Sequence, residues 1–156
     1  MKNFNLFLLV VGLLLCSSYS SVGFGLVGPF TTSAFKCLLS SVPDAAPFVI
    51  VRAYQNSHSP PGIDPNALQT LNNALTAGYS AGIYVELCRG IDAASQLKLI
   101  NTEIILPMIT NAKFFPFIYL KVVPSSNPDC SWEGYTPSDN CKYLVGVANV
   151  IYPLGN

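Results

Sequence analysis

An alternation constrains this chain more than any other feature. Short runs of β-branched and aromatic residues recur between segments whose apolar residues fall three and four positions apart. Phe24-Gly25-Leu26-Val27 is a short apolar run stopped by Gly28-Pro29. Thr32 or Ser33 can cap a following helix with Phe35, Leu38 and Leu39 on one face, ended by Pro43-Asp44. Phe48-Val49-Ile50-Val51-Arg52-Ala53-Tyr54 is the clearest strand. Asp64-Pro65 reads as an N-cap with proline at the first helical position, and Leu68, Leu71, Ala74 and Leu75 then mark one helix face, closed by Gly78. A third strand covers 81–88, and Asp92 caps a third helix carrying Ala93, Leu97, Leu99 and Ile100, with Pro107 disturbing its end. A fourth strand covers 117–123 and reads as buried. Residues 143–151 have the β-branched content of a strand but occupy a helix's place in the alternation; a helix is expected. Strands alternating with helices predict parallel pairing through right-handed crossovers, an α/β fold.

The start of the chain is different in kind. Met1-Lys2-Asn3-Phe4-Asn5 is mildly positive, 6–16 is uninterrupted apolar sequence, and Ser17 to Ser21 supplies small residues, with cleavage expected after Ser20. This is the layout of a secretory signal peptide, too short for a helix across a bilayer of about 30 Å. No later stretch is apolar for long enough to span a membrane. The remaining 21–156 suits one domain with a single core. Net charge is zero and 10% of residues are charged, with no basic stripe, which argues against nucleic acid as a partner. Mean hydropathy is +0.43, and its share beyond the leader comes from near-continuous apolar strands that suit a sheet buried on both faces.

Beyond the leader stand Cys37, Cys88, Cys130 and Cys141. Four cysteines in an oxidising compartment imply two disulfides and allow three connectivities. Cys130 and Cys141 flank a Gly/Pro/Ser-rich loop and are paired on that ground; Cys37–Cys88 follows by elimination. A metal site is the weaker reading, because no CxxC is present and the only histidine, His58, lies in the polar Ser57-His58-Ser59-Pro60-Pro61 loop. No cofactor is expected.

The stretch from Phe48 to Cys88 resembles glycoside hydrolase family 25, the lysozymes with a (β/α) barrel, and in particular their amoeba and nematode branch. The residues that carry it are the 48–54 strand, Asp64-Pro65-Asn66, Asn72-Asn73-Ala74 with Ala77-Gly78, and Ile83-Tyr84 with Cys88. Phe24 to Val27 occupies the place of the family's first strand, and 32–38 with Cys37 that of its first helix. The likeness spans about two thirds of the chain beyond the leader. It implies a TIM-like barrel, here partial with about four parallel strands, and hydrolysis of β-1,4 bonds between the amino sugars of peptidoglycan. That reaction needs a carboxylic acid at the leaving oxygen and further carboxylates near the anomeric carbon, set at the carboxyl ends of barrel strands. The family's first-strand aspartate falls here on Val27, its third-strand aspartate on Gly82, and its Asp-x-Glu pair on Lys121 and Val123, after Tyr119-Leu120. Valine cannot transfer a proton, so the resemblance implies a secreted lysozyme-like protein without the enzyme's chemistry, a pseudoenzyme serving in glycan binding, innate immunity or extracellular signalling.

Glu86 is the carboxylate that could replace the lost acid. Alternation sets Gly82, Tyr84 and Glu86 on one face of the third strand, with Lys121 on the corresponding face of the fourth. A Glu86–Lys121 ion pair is favoured over a relocated acid, since a cation in contact favours the charged form of a carboxylate, the wrong direction for a general acid. An active hydrolase built on Glu86 with Asp64 or Glu133 is the alternative; a secreted scaffold or signal with no glycan ligand is another. Arg52 and Tyr54 are expected on one side of the second strand, either lining a sugar site or pairing with a buried carboxylate and packing, respectively. Tyr84 and Tyr119 can stack on sugar rings or pack. Trp132 is the aromatic expected at the surface, or covering the Cys130 bridge. Because the family barrel needs eight strands, four leave an apolar inner face at Val27, Val123 and Tyr84 and two open edges, so either a homodimer or an edge-capping segment at 143–151 is expected.

Overall fold

The computed structural model describes residues 23–41 and 47–151. The expected leader lies outside the described residues, as do Pro43 and Asp44. The elements run in the order β1 (Gly23–Leu26), α1 (Thr32–Ser41), β2 (Phe48–Gln55), β3 (Gly62–Ile63), α2 (Ala67–Ala77), β4 (Ser80–Glu86), α3 (Ala93–Ile100), a π-helical turn (Asn101–Ile105), α4 (Leu106–Met108), β5 (Phe114–Lys121), a short 3₁₀ turn (Pro128–Cys130) and α5 (Pro137–Ile151). The sheet order is β1-β2-β4-β5 with every neighbour parallel, the α/β partial barrel that the alternation predicts. Two-residue β3, unexpected from the sequence, pairs antiparallel with the end of β2.

Local chemistry explains most of the element ends. Thr31, one residue earlier than expected, caps α1: its Oγ1 accepts the Ala34 N–H at 3.2 Å. Asp64 organises the turn before α2 rather than capping it, with Oδ1 accepting the Asn66 N–H at 2.9 Å, and the helix begins at Ala67. Gly78 closes α2 at φ 104°, a left-handed position that costs glycine little. Asp92 caps α3 by accepting the Ser95 N–H at 2.9 Å, as expected. Pro107 has no N–H for the carbonyl four residues back, and the helix widens into its π-helical turn just before that residue. Residues 143–151 are helical, the last part of α5.

The core lies on one side of the sheet. Val49, Val51, Ile83 and Val85 meet Phe35, Leu71, Leu97, Ile100 and Ile104 from the helices, all nearly or fully buried. The other face is open, which corrects the expectation of a sheet buried on both faces. Helices cover one side only and β5 is an edge, so six of its eight residues are exposed, Phe117 to 67%. The strand expected at 117–123 and buried is therefore a largely exposed edge strand beginning at Phe114. Val27 also lies in the open, 53% exposed.

Two irregularities shift the pattern. The β2–β4 register slips between Arg52 and Tyr54: Arg52 pairs with Tyr84, but Tyr54 pairs with Val85. The extra residue puts Ala53 and Tyr54 both on the helix side and returns Gln55 to the face of Arg52. The second lies between Phe114 and Ile118, where Pro116 can donate no ladder hydrogen bond.

The cysteine pairing differs from both expected bridges. Cys88 is bonded to Cys130, while Cys37 and Cys141 are free and exposed. Helix facing is the reason. Phe35 takes the inward face of α1, and Cys37, two residues on, points outward. On α5 the inward positions are Asn140, Tyr143 and Val147, which leaves Cys141 outside. Cys130 is instead buried beside the end of β4, where the backbone at Gly90 meets that of Asp129 so closely that a Cβ would collide with the Asp129 carbonyl.

α5 does not cap a sheet edge. It packs on α3, and Tyr143 donates its hydroxyl to the Cys88 carbonyl at 3.0 Å. Buried Gln96 completes that joint: its Oε1 accepts the Cys88 N–H and its Nε2 donates to the Cys88 and Ile91 carbonyls, each at 2.9 Å. Arg89 spans the same seam, with Nε donating to Asn140 Oδ1 at 3.1 Å and its guanidinium 4.0 Å from the centre of the Tyr135 ring.

Candidate functional site

At the carboxyl end of the sheet, β2, β4, β5 and the turn before α2 bring four charged side chains into one chain of contacts. Arg52 stands on β2 with Nε donating to Asp64 Oδ2 at 2.9 Å and a terminal nitrogen donating to Gln55 Oε1 at 2.9 Å. Its other terminal nitrogen is 3.6 Å from Glu86 Oε2. Lys121 closes the row, its Nζ donating to Glu86 Oε1 at 3.1 Å and lying 5.1 Å from the centre of the Tyr84 ring. Asp64 and Glu86 are buried, Arg52 is mostly so, and Lys121 is half exposed. Two cations and two carboxylates alternate, so each buried charge has an opposite neighbour, the arrangement that makes such burial tolerable.

The ion pair expected between Glu86 and Lys121 is present, and Arg52 pairs with a buried carboxylate, Asp64. Tyr84, buried against this row, has its phenol pushed upward, first by burial, then by Glu86 and to a lesser degree Asp64, against an opposing effect of Arg52. Tyr54 is not part of the site. The register slip in β2 turns it into the helix layer, where burial first, and neighbouring Tyr143 second, push its phenol up to about 12. The expectation that Arg52 and Tyr54 share a face is thereby corrected.

Below the charged row runs a groove of about 380 Å³. Phe48, Ile50, Gly82, Phe115, Phe117 and Tyr119 line it. Tyr119 belongs to both regions, sitting opposite Tyr84 in the β4–β5 pairing. Phe115 and Phe117 were not singled out from the sequence, although their alternation with Tyr119 and Lys121 was the available signal. Gln55 was missed because the bulge that delivers it leaves no mark in the residue pattern.

The remaining candidates lie elsewhere. Val123, just past β5, and Glu133 line a smaller depression with Trp132. Trp132 is partly buried rather than the most exposed aromatic; its ring meets Tyr143 edge-on at 5.7 Å, and its Nε1 has no hydrogen-bond partner among the described residues. Among those residues no three His, Cys, Asp or Glu side chains gather as metal ligands would, and no helix is long and apolar enough to cross a membrane.

Chemically, the arrangement presents an exposed cation and aromatic rings to anything approaching the carboxyl end, while both buried carboxylates are already engaged. Such rings can stack on the apolar face of a sugar or other flat ligand. Compared with protein-family models, curated proteins and solved structures, the chain matches none. The lysozyme resemblance therefore stands on the residues that carry it.

Proposed function

We propose that this chain is a secreted lysozyme-like protein of the glycoside hydrolase family 25 type, without acid catalysis, that binds cell-wall amino-sugar glycan at the carboxyl end of its sheet. One observation carries the reading: Lys121, where the family resemblance places a catalytic carboxylate, is held 3.1 Å from Glu86, the carboxylate best placed to replace it. With Arg52 on its other oxygen, Glu86 is occupied in holding the sheet ends together. Tyr119 and Lys121 then form the ligand surface, with buried Tyr84 behind them. Secretion is supported by the leader-like residues 1–20 and by the Cys88–Cys130 bridge, which suits an oxidising compartment.

The test is a turbidity assay on bacterial cell walls beside a pull-down on insoluble peptidoglycan. Loss of the acid alone costs about 10²–10⁴-fold in rate, so no clearing is expected. Retention on peptidoglycan should fall when Tyr119 is changed to Ala. Clearing at a lysozyme-like rate, abolished by Glu86→Gln, would move the protein to the enzymes. Failure to be retained would leave a scaffold or signal without a glycan ligand.

A further inference from the structure

We propose that the open face of the sheet is covered by a second copy of this chain, the two joining about a twofold axis into a closed eight-stranded barrel. Four parallel strands in the order β1-β2-β4-β5, with helices on one side only, make half of such a barrel. Among the described residues three features lack a partner: the outer edge of β1, the outer edge of β5, and the face between them. An axis along the common strand direction answers all three together, because it sets β5 of each copy parallel to β1 of the other.

The relief of the face favours this occupant. The β5 flank is bulky, with Phe115 and Phe117 stacked at 6.4 Å between ring centres. The β1 flank is bare: no atom lies within 4 Å of where a Cβ on Gly25 would stand. A twofold axis brings the bulky flank of each copy to the bare flank of the other, the large-against-small matching by which barrel interiors fill. Charge does not oppose contact, since Arg52, Glu86 and Lys121 pair within one copy and stand at the rim. The chain's own last helix is not available as a cover, because it is tied to α3. Four strands about 4.8 Å apart and about seven residues long present roughly 440 Å² in plan on each copy. Side-chain relief and two edge pairings bring the pair toward the ~1,200 Å² at the lower end of specific interfaces.

Sedimentation velocity on the secreted, oxidised protein tests this. At roughly 50 μM, where concentration-dependent assembly is readable, the wild type should run as a dimer. Phe117→Lys and Gly25→Trp change opposite flanks at positions open in one copy, so each should keep wild-type far-UV circular dichroism and weaken association at least ~10-fold. Leu120→Lys, on the same strand but on its other face, should leave the dimer intact. A wild-type monomer at this concentration, a dimer that withstands both flank substitutions, or one broken equally by Leu120→Lys would each overturn the proposal.

Discussion

Glu86 and Lys121 are joined twice, once by the parallel register of β4 and β5, which sets them opposite each other, and once by a 3.1 Å contact between their side chains. The backbone relation makes the side-chain relation inexpensive in entropy, since both strands are already fixed by the sheet. The same register sets Tyr119 opposite Tyr84 two positions below the strand end, so the charged rim and aromatic surface share one frame.

The two cations of this row are not equivalent. Arg52→Ala leaves buried Asp64 without its cation and Glu86 with Lys121 alone, and should cost about 3–5 kcal/mol, the range for removing one partner of a buried pair. Lys121→Ala removes a half-exposed charge and should cost no more than about 1 kcal/mol. Urea unfolding monitored by circular dichroism gives both values, and equal costs would contradict this division of roles.

Tyr54 makes stability fall at high pH. Its phenol rises from an ordinary 10 in the unfolded chain to about 12 in the folded one. The contribution is complete below pH 10 and is lost as pH rises through 12, because only the unfolded state releases its proton in that window. The slope is about 1.4 kcal/mol per pH unit for this group. Tyr54→Phe should flatten the decline between pH 10 and 12, measured by denaturant unfolding at each pH.

Gln96 holds the seam between the end of β4 and the helices. Gln96→Leu keeps the bulk but leaves the buried Cys88 N–H without its acceptor and should cost about 2 kcal/mol, within the ~1–3 kcal/mol of an unsatisfied buried group. Thermal unfolding should show the loss, and protection of the Cys88 amide from hydrogen exchange should drop with it.

Peptide mapping without reduction should recover Cys88 linked to Cys130, with Cys37 and Cys141 open to alkylation. The bridge spans 42 residues, and the chain-entropy account assigns a loop of that size about 4 kcal/mol. Loss of stability on mild reduction checks the magnitude, and a Cys130–Cys141 peptide would refute the pairing.

The sequence made the parallel sheet legible because strand and helix periods differ and each helix was punctuated by its own chemistry, Asp92 at one start and Gly78 at one end. It also placed Glu86 against Lys121, since period-two alternation carries through β4 and the end of β5. The same rule failed at Tyr54, where one extra residue reverses facing and no residue type announces it. Cysteine pairing was misread for a related reason. Loop composition around Cys130 and Cys141 says nothing about which side of α5 faces α3. The apolar 117–123 run looked buried because its composition reports hydrophobicity but not which face the helices cover.

The slip at Ala53 and Tyr54 gives β2 one residue more than its pairing with β4 needs. A conservative exchange there alters one contact. Removing Ala53 closes the bulge and restores simple alternation while leaving Tyr54 opposite Val85 in the helix layer and Gln55 beside Arg52. A one-residue deletion is therefore absorbed at the bulge, whereas the same deletion in the regularly paired stretch from Phe48 to Arg52 would set the faces of the strand against each other.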